Sequence, residues 1–216
     1  MKVKLVSYTT PCEELKFQGI NNAEDLMVHN ARVSNPDNQL NAATGDRLLK
    51  YCVEHEHWSI FEQAMMTVEI ITSRAIAAQI LRHRSFTFQE FSQRYAEVHD
   101  IEPQELRKQA TNNRQSSSEV IDDPACQQLL SVLNTVAQKT YGELLKRGVA
   151  RECARAVLPL AAQTTMYMTG TCRSFIHYIN LRTKPDTQKE HRDIAQAIQG
   201  VFSHVFPRTA TALSYK

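Results

Sequence analysis

The chain has 216 residues, 42% of them hydrophobic, with 25 lysines and arginines against 23 acids. That is enough apolar chain for one domain with a real core, and it excludes a disordered tail. The near-balanced charge gives no general pull toward nucleic acid or a membrane surface, so the placement of the arginines matters more than their number.

Residues 2–8 alternate enough to form a strand. Residues 23–33 and 46–54 read as helices, the second entered through Thr44 as a cap. Residues 64–71 are β-branched and apolar and read as a strand; Ser73 then caps a helix running through AIAAQILRHR to about Arg84. Residues 85–95 read as irregular chain or short strand. The polar stretch 99–122, with three serines at 116–118, reads as a surface excursion. Asp123-Pro124 opens a long helix, with proline well placed in its first turn and Gly148 as its stop. A short helix follows to Val157 before Pro159, then a strand over 163–169, a helix over 171–183 and a final amphipathic helix over 186–206. No repeat or linker interrupts the chain, and the mixed order of elements predicts one α+β domain over residues 1–216.

The five cysteines are scattered, the closest pair lying 19 positions apart, so no CxxC supports a zinc ribbon, a zinc deaminase or a thioredoxin-type pair. With the odd count, and a start (MKVKLVSYTT) that lacks a secretion signal, the expected location is the reducing cytoplasm. No stretch approaches the roughly 20 apolar residues of a membrane span. The six glycines form neither GxGxxG nor GxxxxGK[ST], so a dinucleotide here is not held by a Rossmann loop.

The informative segment is QILRHRSFTFQEFSQRY, residues 79–95. If its first part is helical, Gln79, Arg82 and His83 share a face. Arg82, Arg84 and Arg94 offer planar, permanently charged forks suited to phosphate and to the carbonyl edge of a pyrimidine. Glu90 and Gln79 are placed to align such arginines, and Ser92 to bond a phosphate oxygen. The plainer alternative is a solvated basic helix end laced with surface ion pairs.

Arg82-His83-Arg84, seven residues, then Ser92 resembles the RHR-x7-S signature of the flavin-dependent thymidylate synthase family, and Arg94-Tyr95 follows as it does there. Residues 31–34 (ARVS), 57–62 (HWSIFE), 155–160 (RAVLPL) and 171–182 (TCRSFIHYINLR) resemble further segments of that family in the same order. The resemblance spans about residues 30 to 185. It implies the thymidylate synthase-complementing protein fold: a small, mainly antiparallel sheet packed by helices.

It also implies conversion of dUMP to dTMP, with FAD as cofactor and NADPH and methylenetetrahydrofolate as co-substrates. The family forms homotetramers with FAD between subunits and dUMP stacked on the flavin. Carried over by position, FAD contacts are Ser34, His57, Ser59, Glu62, Arg82, His83, Arg84, Gln89, Glu90, Thr171, Arg173 and His177. The dUMP contacts are Gln79, Arg82, Glu90, Ser92, Gln93, Arg94, Arg155 and Arg182, with Arg182 the catalytic group that polarises the uracil ring. The chain departs from the family pattern at Thr171 and Gln89, where asparagine is common, and at Gln93, where glycine is.

The residue inventory agrees with such chemistry. No cysteine sits in the basic constellation to attack a pyrimidine, and a flavin carries reducing equivalents while the protein positions and stabilises charge. His55 and His57 lack a third ligand, so no metal is expected. His29, His99, His191 and His204 read as ordinary surface or packing residues, and Phe86, Phe88 and Phe91 as core. Rival readings are an RNA-binding module using the arginine and aromatic cluster, and an assembly protein whose arginines bridge subunits. Finally, Arg173 and Arg182 are nine residues apart, about 900° around a helix, and are expected on opposite sides of it.

Overall fold

The computed structural model describes residues 1–215. Four strands form an antiparallel sheet in the order β1 (Lys2–Tyr8), β2 (Met65–Ser73), β6 (Gln163–Thr171), β3 (Thr87–Glu90). Strands β4 (Arg107–Gln109) and β5 (Ser117–Val120) pair separately within the polar excursion. The helices are α1 (Glu13–Phe17), α2 (Ala23–Ala31), α3 (Gly45–Glu54), α4 (Arg74–Ile80), α5 (Pro124–Lys146), α6 (Arg151–Ala154), α7 (Cys172–Arg182), α8 (Lys189–Val205) and α9 (Pro207–Ala212). The expected small antiparallel sheet packed by helices is therefore the fold.

The sheet's centre follows from period-two patterning. Strands β2 and β6 pair over nine residues, from Met65 opposite Thr171 to Ser73 opposite Gln163. Met66, Val68, Ile70, Met166 and Met168 face inward and are buried, whereas Thr67, Glu69, Tyr167 and Thr169 occupy the other face. That outer face is polar and self-satisfied: Thr67 and Thr169 share a hydrogen bond of 2.9 Å, and the Tyr167 hydroxyl donates to Glu69 at 2.9 Å. On the inner face Ile76, Ile80, Phe175, Ile179, Ile198 and Phe202 complete one hydrophobic core.

Several expected boundaries change for local reasons. The helix begun at Ser73, whose hydroxyl accepts from Ile76 N, stops at Ile80 rather than running to Arg84. Phe86 is buried against Phe175 and Tyr178, and β3 must start at Thr87 to pair with Thr169. Residues 81–86 are all that remain for the turn between Ile80 and Thr87, so strand pairing overrides helix propensity. Gly170 makes this possible, since a Cβ there would run into the Phe86 ring. Thr44 does not cap α3; its hydroxyl instead accepts from Arg32 Nη2 at 2.7 Å. Asp123 does cap α5, accepting from Ala125 N, and Gly148 ends that region with φ of 81°. Short helices α1 and α9 were not expected.

Helix α9 is tied down by a buried carboxylate. Glu24, 2% exposed on α2, accepts from Thr209 N at 2.6 Å, Thr209 Oγ1 at 2.8 Å and Arg208 N at 3.1 Å. Glu24→Ala strands those donors without water, so it is expected to lower the unfolding free energy by about 2–4 kcal/mol. Urea denaturation of the two proteins measures the difference; a change under about 0.5 kcal/mol would mean water replaces the carboxylate.

Candidate functional site

The turn between α4 and β3 carries Arg82-His83-Arg84, and α7 runs beside it. Because α4 ends early, Gln79, Arg82 and His83 do not share a helical face. Arg82 and Arg84 are exposed, and neither side chain has a hydrogen-bond or ion-pair partner among the described residues. His83 is half-buried and its Nε2 accepts from Arg182 Nε at 2.9 Å. An acceptor at Nε2 places the ring proton on Nδ1, and the ring is neutral. Burial first, then the Arg182 and His177 charges, push its pKa down to about 4.

Neither Gln79 nor Glu90 aligns these arginines. Glu90 accepts from Arg74 Nη1 at 2.6 Å and from Thr164 Oγ1 at 2.9 Å, spanning β3 and β6. Gln79 donates to Gln188 Oε1 at 2.7 Å and lies 3.3 Å from His191 Nδ1. His191 is not an ordinary packing residue either: it is fully buried, with Nε2 3.1 Å from the Tyr178 hydroxyl. Its pKa is lowered to about 3, by burial first and then by Arg182 and His83.

These two histidines set an acid limit on stability. The unfolded chain binds protons at ordinary histidine pKa values near 6.5, whereas the folded chain resists until about 4 and about 3. Their contribution is therefore complete above about pH 6.5 and is lost as pH falls through that window. At pH 5 the cost from His191 is about 2 kcal/mol. The loss in unfolding free energy between pH 7 and pH 5 should shrink in His191→Gln, which cannot take up a proton; an equal loss would assign the acid sensitivity elsewhere.

On the other side of α7, Arg173 donates to Glu62 at 2.7 Å, and both line an open cavity of about 540 Å³ with His177, Trp58, Ser85 and Asn180. Thr171 caps the helix by accepting from Ser174 N at 3.2 Å, and Ser174 in turn donates to Ser85 O at 3.2 Å. The two arginines of α7 thus face different partners, Glu62 and His83, as the nine-residue spacing predicts. His57 and Ser59, at the 3₁₀ turn Trp58–Glu62, are exposed nearby in sequence, while Ser34 lines a separate hollow with Arg47 and Tyr51.

No hydrogen bond or ion pair among the described residues joins the remaining expected site residues to these. Gln89 is exposed on edge strand β3, opposite Tyr167. Ser92 is exposed, Gln93 is 7% exposed with its Nε2 unpaired, and Arg94 pairs with Glu152 at 3.2 Å. Arg155 is half-buried without an ion-pair partner among the described residues. No hydrogen bond or ion pair among the described residues links Ser92, Arg94 or Arg155 to Arg82, Arg84 or Arg182.

The chain is similar to known proteins over its whole length. The sequence profile of the family described as thymidylate synthase complementing protein matches residues 15–208. The chain belongs to this family. It is 50% identical to a probable flavin-dependent thymidylate synthase of Paramecium bursaria Chlorella virus 1 and 44% identical to a flavin-dependent thymidylate synthase of Synechocystis sp., covering all of each protein and all of itself. Among solved structures, that of the UMP/dUMP methylase PolB of Streptomyces cacaoi with 5-Br dUMP superposes with a TM-score of 0.83 at 26% identity, over 99% of this chain and 94% of that one.

Of the five thiols, Cys12 and Cys153 are exposed and Cys126 is half-buried, none of them lining the Arg173 cavity, and the other two are placed poorly for nucleophilic attack. Cys52 and Cys172 are buried, and burial raises both pKa values, that of Cys172 further through Glu24. Nor does the aromatic run form a base-stacking platform: Phe86 is buried and Phe88 and Phe91 are half-buried. The arrangement left is two exposed, unpaired arginines, Arg82 and Arg84, flanking a neutral His83 that holds Arg182. Trp58, Ser85, Asn180, Tyr178 and His191 were missed as site neighbours; His191 and Gln79 lie 112 positions apart, and no local pattern joins them.

Proposed function

We propose that the chain is a flavin-dependent thymidylate synthase that methylates dUMP to dTMP, with methylenetetrahydrofolate as carbon donor and NADPH as reductant. The observation that carries this reading is the pairing of Arg182 with neutral His83 beside the unpartnered Arg82 and Arg84. The unpartnered guanidinium groups of Arg82 and Arg84, next in sequence to Ser85 of the cavity that Arg173 also lines, suit a polyanion with a diphosphate, so the residues present fit FAD. Bound there and reduced, FAD would supply the hydride for the new methyl group.

The chain's own residues bind, orient and stabilise charge. Arg82, Arg84 and Arg173, with His177, Ser59, His57, Ser34, Glu62, Gln89 and Thr171, hold the dinucleotide; Glu90 acts through the Arg74 and Thr164 contacts that fix β3. Ser92, Gln93, Arg94 and Arg155 take the nucleotide phosphate and sugar, supplied by a different subunit from Arg82 and Arg182. Arg182 donates Nε–H to His83, which leaves both terminal nitrogens for the uracil edge, where they stabilise negative charge as the ring becomes a nucleophile.

Assembly into a homotetramer supplies the missing walls. Leu129, Val132, Leu133 and Val136 form an exposed apolar stripe on α5 at helical spacing, between 51% and 71% exposed. A second copy covers such a stripe. The five free thiols fit a reducing cytoplasm. No described helix is long and apolar enough to cross a membrane.

Purified protein is expected to be yellow, to release FAD on denaturation, to bleach with NADPH, and to form dTMP from dUMP and methylenetetrahydrofolate. Colourless protein that FAD cannot reconstitute would overturn this function.

A further inference from the structure

Behind Arg182 runs a hydrogen-bond chain whose direction is fixed by its end. Glu190 is a carboxylate and only accepts, so Gln188 donates its Nε2 to Glu190 Oε2 at 2.9 Å. Gln188 Oε1 then accepts from Gln79 Nε2 at 2.7 Å, which turns Gln79 Oε1 toward His191 Nδ1 at 3.3 Å. An amide oxygen cannot donate, so His191 carries its proton on Nδ1. Its bare Nε2 therefore accepts from the Tyr178 hydroxyl at 3.1 Å. Four hydrogen bonds point one way, from Tyr178 on α7 to Glu190 at the start of α8, and Arg107 Nη2 anchors the far end on Glu190 Oε1 at 2.6 Å.

The near end meets the site. The Tyr178 ring stands edge-on to His83, centroids 4.9 Å apart at 78°, and His191 stands edge-on to His83 at 6.1 Å and 86°. His83 holds Arg182. Tyr178 and His191 are each 0% exposed, so neither touches a ligand directly. A hydroxyl locked onto His191 stops the Tyr178 ring from shifting, and the two rings together fix the plane in which His83 offers its lone pair.

We propose that His191 is a positioning residue for Arg182, acting through Tyr178 and His83 to hold the guanidinium in its working orientation. The assignment rests on Arg182 acting at the nucleotide. It also ties Arg182 to Gln79, since one imidazole orients both side chains. Histidine suits the position because neutral imidazole offers one donor and one acceptor on opposite sides of a flat, buried ring. Glutamine also has one acceptor and a donor on a single carbon; leucine has neither.

The test compares His191→Leu with His191→Gln in the FAD-loaded assembly. His191→Leu is expected to lower kcat about 10- to 100-fold while the KM for dUMP stays within about twofold, and His191→Gln to recover most of kcat. A structural role alone would not separate kcat from KM or be relieved by glutamine. The second readout needs no turnover: in protein labelled with ¹⁵N-arginine, the Arg182 Nε–H resonance is expected to shift in His191→Leu and to stay near the parent position in His191→Gln. An unmoved Arg182 resonance in His191→Leu, or turnover equal to the parent, overturns the proposal. Should His191→Leu fail to fold, Tyr178→Phe severs the same chain and is judged by the same two readouts. Full activity in Arg182→Ala would instead remove the catalytic reading, while the resonance shift would still report the coupling.

Discussion

Replacing Arg182 by alanine is expected to lower kcat for dTMP formation by about 10²–10³-fold, with FAD still bound. The arginine's Nε–H is spent on His83 at 2.9 Å, and its terminal nitrogens have no partner among the described residues. They are therefore aimed by the protein before substrate arrives, and charge that develops on the uracil meets donors that need no reorganisation. Arg182→Lys should be nearly as slow, because an ammonium cannot donate to His83 and fork onto the pyrimidine at once. Neutral His83 matters here. A protonated ring would repel the guanidinium, and burial with the neighbouring charges keeps its pKa down at about 4. Steady-state kinetics at saturating dUMP, with flavin absorbance recorded on the same sample, measures the effect. An Arg182→Ala enzyme that turns over within about threefold of the parent would exclude the role.

Mixed assemblies give the second large effect. Arg173 and Arg182 lie on opposite sides of α7, one on Glu62 and the other on His83. A straight helix of 11 residues does not bring both guanidinium groups to one ligand. Each subunit is therefore expected to lend Arg173 to one site and Arg182 to its neighbour. Arg173→Ala and Arg182→Ala assemblies should each be nearly inactive. Refolded together in equal amounts, they should recover about a quarter of the parent activity, the share of sites that draw an intact arginine from both sides. Confirmed hybrids as inactive as the parents would place both arginines in one site.

Much of this molecule is legible along the chain because its determinants are local. The β-branched, apolar run marks β2, Asp123-Pro124 and Gly148 bracket α5, and Ser73 caps the helix it precedes. The RHR-x7-S spacing gives the family, and the profile match over residues 15–208 agrees. The opposite facing of Arg173 and Arg182 also needs only helix geometry, since the period of an α-helix is set by its own backbone bonds.

What the tertiary structure alone decides is which of these residues are free and which are spent. Glu90 belongs with the arginines by sequence, yet Arg74 and Thr164 reach it first across the sheet. The helix through Arg82 would continue on propensity, but burial of Phe86 against Gly170 and the pairing of Thr87 with Thr169 stop it at Ile80. His191 gives no local sign of its role, because its partners Gln79 and Tyr178 reach it only when α4, α7 and α8 pack together. Local patterns report backbone preference and amphipathic faces; hydrogen-bond partners at separations of 74 to 112 residues are chosen by packing, which excludes water and leaves each buried polar group the neighbour that the fold provides.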